Sequence, residues 1–278
     1  MNKPGMRIFG VLASAVFLSG CGKDNDQIMK EELGYQGSPE LWSEFLQCWT
    51  EESIATYSAM EDNSAMEREV LDSGNQGFAP ATYEAIASKE KHLNVVLPKS
   101  YKDFLLASNG WRQPMLDSGD GLVLPVERIG FFSDMAPEFY SIVAEDNSNY
   151  TISAGSEDSH SPVDYSQSQD SVIFEESHFV NSIAISEETD SGIYLINTHR
   201  TTPEGEFEFW FYSSNHPGVY KFVSFAHLMQ YAYIKTIHKP EYNIPYDASF
   251  MIDTCAAILG FPRSDSPKRD TQAIESIY

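Results

Sequence analysis

Leu93-Asn94-Val95-Val96-Leu97-Pro98-Lys99-Ser100-Tyr101-Lys102-Asp103-Phe104-Leu105-Leu106-Ala107-Ser108-Asn109-Gly110 is the stretch on which the fold turns. It predicts one helix that ends at a Leu-Pro step and a second that opens at once. Pro98 suits a first helical turn, because the N–H it lacks would be unpaired there. Tyr101, Phe104, Leu105 and Ser108 follow at i, i+3, i+4 and i+7, and Asn109-Gly110 supplies a C-terminal stop. Upstream, Tyr83, Ile86, Ala87, Glu90 and Leu93 repeat at helical spacing after Thr82. The physics of the stretch is that of an αα-hairpin.

Its wording resembles the SUKH superfamily of Smi/Knr-type domains, through Leu97-Pro98, Tyr101-Lys102, Phe104-Leu105 and Asn109-Gly110. Three further pieces follow in the family's order. Leu124-Pro125-Val126-Glu127-Arg128-Ile129 is similar to its strand and "P-x-E-x-I" segment. Ile183 to Asn197, through Gly192, Tyr194 and Ile196, is similar to its hairpin. Val219-Tyr220 with Ser224-Phe225-Ala226-His227-Leu228-Met229 is similar to its closing helix. The resemblance covers roughly residues 78–235.

The N-terminus predicts export. Lys3 and Arg7 precede an apolar run from Ile8 to Leu18, and Leu18-Ser19-Gly20-Cys21 closes it. Eleven apolar residues fall short of the ~20 that a helix needs to cross a bilayer, so the segment reads as a signal peptide, 1–20. The Leu-Ser-Gly-Cys ending resembles a bacterial lipobox, with Cys21 as the lipidated residue. An ordinary signal peptide that happens to contain Cys21 is the alternative. Gly22 gives no inner-membrane retention signal, so the expected location is the cell envelope, lipid-anchored at the outer membrane or cell surface. Several acyl chains would tether the chain stably.

The charge is strongly acidic. The formal net charge is −23, and it becomes −25 once Lys3 and Arg7 leave with the signal. Phosphate recognition requires Lys and Arg, so nucleic acid is excluded as a natural partner. A basic protein fits better, although acidity can also serve solubility alone. Between Arg128 and Arg200 there is no Lys or Arg, against thirteen Asp and Glu. Residues 145–171 are rich in Ser, Asp and Asn and too poor in apolar groups to offset their ordering entropy, which predicts an inserted loop. It reads either as a partner-facing arm or as a solvated insertion. The candidate partner-binding carboxylates are Glu145, Asp146, Glu157, Asp158, Asp164 and Asp170, with Glu175 and Glu176 just beyond.

Outside the resemblance, residues 21–77 read as a spacer and helical extension. Ser38-Pro39 starts a helix whose Leu41, Trp42, Phe45, Leu46 and Trp49 form a wide apolar stripe that must be buried. A short helix near Ala65 to Leu71 and a linker at 72–77 follow. Residues 236–278 read as a helix from Ala248 to Leu259 and a polar tail. Cys48 and Cys255 lie on these flanking helices. An exported chain permits a disulfide between them, worth ~4–5 kcal/mol in the chain-entropy model. Two buried free thiols are the other reading, because sequence does not place two Cα atoms within bonding distance.

The chain lacks H-E-x-x-H, G-x-S-x-G, a phosphate loop and Cys-x-x-Cys. Its seven histidines have no i, i+4 pair. Asp117-Ser118-Gly119-Asp120-Gly121 hints at a calcium loop, but Arg128 stands where the closing Glu belongs. No catalytic residues, cofactor or metal are therefore expected. Phe207, Phe209 and Phe211 alternate with Trp210 and Tyr212 on the two faces of one strand.

The expected fold is α+β. Strands at 122–132, 180–187, 191–198, 206–212 and 218–223 form a mostly antiparallel sheet with helices packed on one face. The SUKH resemblance implies a non-catalytic immunity protein that binds and occludes a toxin passed between competing cells. An envelope scaffold of the Smi/Knr type, as in fungal wall regulation, is the alternative.

Overall fold

The structure, a computed structural model, describes residues 35–58, 68–112, 121–146, 174–189, 192–202, 205–213, 218–237 and 255–260. Cys21, the calcium-like stretch 117–120, most of the acidic insertion, residues 248–254 and the tail lie outside them.

The chain is α+β. Helix α1 (Pro39–Ser58) and the short α2 (Arg68–Ser73) lead into α3 (Tyr83–Leu93) and α4 (Lys99–Ala107). Strands β1 (Trp111–Arg112) and β2 (Leu122–Val123) pair with each other. Strands β3 (Gly130–Phe131), β4 (Ile183–Ala184), β5 (Ile193–Thr201), β6 (Phe207–Tyr212) and β7 (Val219–Phe222) form an antiparallel meander in that order. Helices α5 (Phe132–Met135) and α6 (Pro137–Asp146) and a 3₁₀ turn at Glu176–Phe179 fall between β3 and β4. Helix α7 (Phe225–Ile237) and a 3₁₀ turn at Cys255–Leu259 follow the sheet.

The αα-hairpin forms as expected, with one difference at its second start. Thr82 caps α3 by accepting the Ala85 N–H, and Asn94 ends it in the left-handed conformation. Pro98 offers α4 no capping side chain. The carboxylate of Glu206 takes that role from across the chain, accepting the Ser100 N–H at 2.6 Å and the Ser100 hydroxyl. Ser100 Oγ in turn accepts the Phe225 N–H at the start of α7. A carboxylate suits this place because a helix N-terminus presents unpaired N–H groups and a positive dipole end.

Period-two alternation divides the sheet between two cores. Tyr194, Ile196, Phe209, Phe211 and Phe222 face the large helical core. Ile193, Leu195, Trp210 and Val219 face a smaller one. Within the large core, Trp42 of α1 meets Phe104 and Phe225 at 5.3 and 5.6 Å, and Trp49 meets Trp111 and Tyr233. The apolar stripe of α1 is thus an integral layer of the same body. Cys48 on α1 is disulfide-bonded to Cys255, with Cα atoms 5.7 Å apart and a sequence separation of 207. Gly110 and Gly192 occupy φ of +115° and +145°. A Cβ there would lie 2.7 Å from the Val123 carbonyl oxygen and 2.2 Å from that of Tyr212, so only glycine fits either turn.

Five expectations change. The segment 122–132 is two strands in different sheets, because Pro125 donates no hydrogen bond and Arg128 N–H closes a turn onto Pro125 O at 2.8 Å. The second sheet face is also covered, by Phe132, Ala136, Phe139 and Phe179. The acidic loop does not begin at 145: Glu145 and Asp146 are the last turn of α6, which Pro137 opens. The linker 72–77 is docked, with Gln76 O accepting from the Arg112 N–H at 3.1 Å and Gly77 bridged to Trp111. Of the expected helix at 248–259 only residues 255–259 are described, and these form a 3₁₀ turn rather than an α-helix.

Phe104 is fully buried, so Phe104→Ala should cost about 3–5 kcal/mol in urea unfolding, the usual figure for such a truncation. An unchanged midpoint would refute this packing. Burial raises the carboxyl of Glu206 above the ordinary glutamate value, against the lowering effect of its bonds to Ser100. The folded chain therefore holds this proton more tightly than the unfolded chain. Glu206 contributes most below pH ~4.5, and that contribution falls as pH rises through the folded-state value. The stability of wild type relative to Glu206→Gln should decline above pH ~4.5, with a slope of at most about 1.4 kcal/mol per pH unit. A pH-independent difference would show that Glu206 titrates normally.

Candidate protein-binding face

The smaller core carries a ledge made of α5, α6 and the 3₁₀ turn, and this is where exposed apolar and acidic groups meet. Ala136 N–H bonds back to Phe132 O, and Tyr140 N–H to Ala136 O, so α5 runs almost directly into α6. Phe132 packs edge-on against Phe139 and Tyr140, and at 5.8 Å against Phe179. These inward rings anchor the ledge. Its outward side shows Met135 (39% exposed), Ile142 (56%) and Val180 (48%). Tyr83 (72%) and Val96 (70%) on the α3–α4 hairpin are the other large apolar residues left exposed among the described residues.

Carboxylates stand beside them. Burial raises the carboxyl of Glu188, and the like charge of Glu138 raises it further, so these two acids lie close enough to repel. Glu175 pairs with His178 at 3.1 Å, and Arg128 from the flank of the ledge binds Glu187 at 2.8 Å. Of the candidate partner-binding residues, Glu175 and Glu176 sit on this ledge. Glu145 and Asp146 end the helix that forms it, while Glu157, Asp158, Asp164 and Asp170 lie outside the described residues.

Next to Glu175 a polar cluster crosses the sheet. The parallel rings of His178 and His199 are 5.2 Å apart, and His178 also stacks on Trp210. Below them Glu208, 1% exposed, accepts from Trp210 Nε1 at 2.6 Å and from Asn197 Nδ2 at 3.1 Å. A bulge between Asn197 and Thr201 shifts the register of β5 against β6 and brings His199 onto the Val180 carbonyl. Burial holds His178 below the ordinary histidine value, opposed by Glu175 and assisted by His199. The cluster fixes the 3₁₀ turn against the sheet and sets the position of Glu175.

Several of these residues escape a reading of the sequence alone. Glu138 and Ile142 look like ordinary members of a mixed segment, and only Pro137 before Glu138 signals the helix that carries both. His178 and His199 are 21 residues apart in sequence, and only the β4–β5 pairing brings them together.

Among the described residues, no helix is long and apolar enough to cross a membrane. Cys48, Glu52 and Cys255 form a group with its potential donor atoms within 4.8 Å of one another, the two sulfurs being those of the disulfide. Neither the curated proteins nor the solved structures contain a match to this chain. The model of the SMI1 / KNR4 family (SUKH-1) matches residues 80–231. That span is more than half of the 278 residues and runs from the αα-hairpin through the five-stranded meander into α7. The chain belongs to the SMI1 / KNR4 family (SUKH-1).

Proposed function

We propose that this chain is a non-catalytic, protein-binding lipoprotein, an immunity protein that neutralises a basic toxin by occupying it in a stoichiometric complex. One observation carries the reading: Met135, Ile142 and Val180 are exposed on the short elements that also carry Glu138, Glu175 and Glu176, and Glu138 lies close to Glu188. The run from Arg128 to Arg200 that contains the ledge has no Lys or Arg between its ends. Exposed apolar groups on elements rich in carboxylates suit recognition of a cationic protein surface, with the charges steering encounter and the apolar groups slowing release. Family membership supports the same reading by analogy. The envelope-scaffold reading draws its support from the lipobox-like Leu18-Ser19-Gly20-Cys21, because a lipid anchor places the chain where wall-associated partners lie.

The binding test removes charge, with the fold of the variant checked by a cooperative melt. Glu145, Asp146, Glu157, Asp158, Asp164, Asp170, Glu175 and Glu176 are replaced by Asn or Gln, and association with the toxin encoded by a neighbouring gene is timed at two salt concentrations. Electrostatic steering accelerates encounter by tenfold or more. The neutralised protein should therefore associate about tenfold slower at low salt, and the gap should close above ~0.15 M, where the Debye length is about 8 Å. Equal rates at low salt would remove the acidic surface from the mechanism. Failure of the wild-type chain to protect toxin-expressing cells would favour the scaffold.

The anchor is tested separately. Cys21→Ser should move the chain out of the membrane fraction or leave it unprocessed, as read by fractionation and mass. Wild-type chain found wholly in the cytosol would end the lipoprotein reading.

A further inference from the structure

The corner where α1 meets the C-terminal 3₁₀ turn holds an assembled set of metal donors. Cys48 and Glu52 lie four residues apart on α1, and so on one face of it. Cys255 approaches from the turn and is bonded to Cys48. The two sulfurs and a Glu52 carboxylate oxygen all lie within 4.8 Å of one another. The Tyr233 hydroxyl of α7 donates to Glu52 Oε2 and so orients the carboxylate. Cys48 and Glu52 are half-buried and Cys255 is buried, which leaves the corner open on one side.

We propose that reduction of the Cys48–Cys255 disulfide turns this corner into a Zn²⁺ site, with both thiolates and the Glu52 carboxylate as ligands and water as the fourth. A dithiol or phosphine reductant supplies two electrons. The S–S bond breaks, and each sulfur takes up one proton to become a thiol. Zn²⁺ then displaces both protons as the two Zn–S bonds form, so affinity falls as pH falls. Two thiolates with one carboxylate select zinc over calcium or magnesium, which take oxygen donors. In a tetrahedral zinc site, Zn–S of about 2.3 Å and Zn–O of about 2.0 Å place the donor atoms roughly 3.5–3.8 Å apart. The sulfurs have to separate and the carboxylate to draw in slightly, movements that a half-open corner at the end of a short turn permits. The hydrogen bond from Tyr233 is of the kind that fixes a metal ligand from behind. The same two sulfurs thus serve as a covalent clasp under oxidising conditions and as a metal clasp under reducing ones. This site is remote from the α5–α6 ledge in the order of the fold, and its test is independent of partner binding.

The test uses the full chain with Cys21→Ser in every sample, so that only two thiols remain of the three in the sequence. Reduced and oxidised protein are titrated with Zn²⁺ against a chromophoric chelator, and with Cd²⁺ for its thiolate charge-transfer absorbance. Reduced protein should bind one Zn²⁺ per chain and show the Cd²⁺ band, and oxidised protein should do neither. Tyr233→Phe should weaken Zn²⁺ binding by about 10–100-fold, and Glu52→Gln, checked for a cooperative melt, should weaken it at least as much. Cys48→Ser, checked for a cooperative melt, should abolish the band. Reduced protein that binds no Zn²⁺, or binding unchanged by Glu52→Gln or Cys48→Ser, would overturn the proposal.

Discussion

The contact on which the architecture depends is the buried carboxylate of Glu206 at the start of α4. One side chain satisfies the first-turn N–H and hydroxyl of Ser100, and Ser100 passes the connection on to the first N–H of α7. Three elements distant in sequence, α4, the β5–β6 hairpin and α7, are thereby held at one point. A polar group this deeply buried costs free energy unless it is fully bonded. The network therefore favours a single arrangement of the helices over the sheet, where apolar contacts between Tyr101, Phe104 and Phe225 alone would tolerate several. The raised carboxyl of Glu206 is the other side of the same burial.

Much of this fold is legible in the sequence, and what is not has a consistent cause. The hairpin of α3 and α4 reads clearly because its signals are local: Thr82, Pro98, Gly110 and the spacing of Phe104 and Leu105. The β6 alternation of Phe209 and Phe211 against Trp210 reads equally well, because side-chain direction in a strand follows from position alone. The cap on α4 does not, since Ser100 and Glu206 are 106 residues apart. Nor does the smaller core: Phe132, Phe139 and Phe179 lie in short, polar-interrupted segments whose burial is decided by the outer face of the sheet. The disulfide was an open alternative in sequence for the same reason, as Cys48 and Cys255 meet only after α1 has docked. Of the candidate binding face, the absence of Lys and Arg is visible in the sequence, but the exposure of Ile142 and Val180 is not.

The family-matched segment begins at residue 80, yet the large core does not close without α1. Trp42, Phe45 and Trp49 fill the space between α4, α7 and the Trp111 strand, each at or below 1% exposure. Aromatic side chains of this size carry a large share of core energetics. Within the chain, the helix ahead of the matched segment is part of the same body. The Cys48–Cys255 disulfide fastens that helix to the end of the chain, adding up to about 5 kcal/mol by restricting the unfolded state over so long a loop. The added layer and its clasp lie on the face of the sheet opposite the smaller core.

That other face has a structure at odds with stability alone. A small core of Phe132, Phe139, Phe179 and Trp210 suffices to hold α5, α6 and the 3₁₀ turn, and on top of it the chain places like charges in mutual repulsion. Burial and then the charge of Glu138 make Glu188 harder to ionise. Within the long run from Arg128 to Arg200, no Lys or Arg intervenes to relieve them. Such repulsion lowers the stability of the free protein slightly and is screened by salt. In the complex proposed above, a cationic surface brought against the ledge would remove the repulsion and cover exposed apolar groups. Unfavourable terms of the free state would then become favourable terms of that complex for a partner of opposite charge. Selectivity in this scheme comes from the sign of the rim, while affinity comes from the apolar groups inside it.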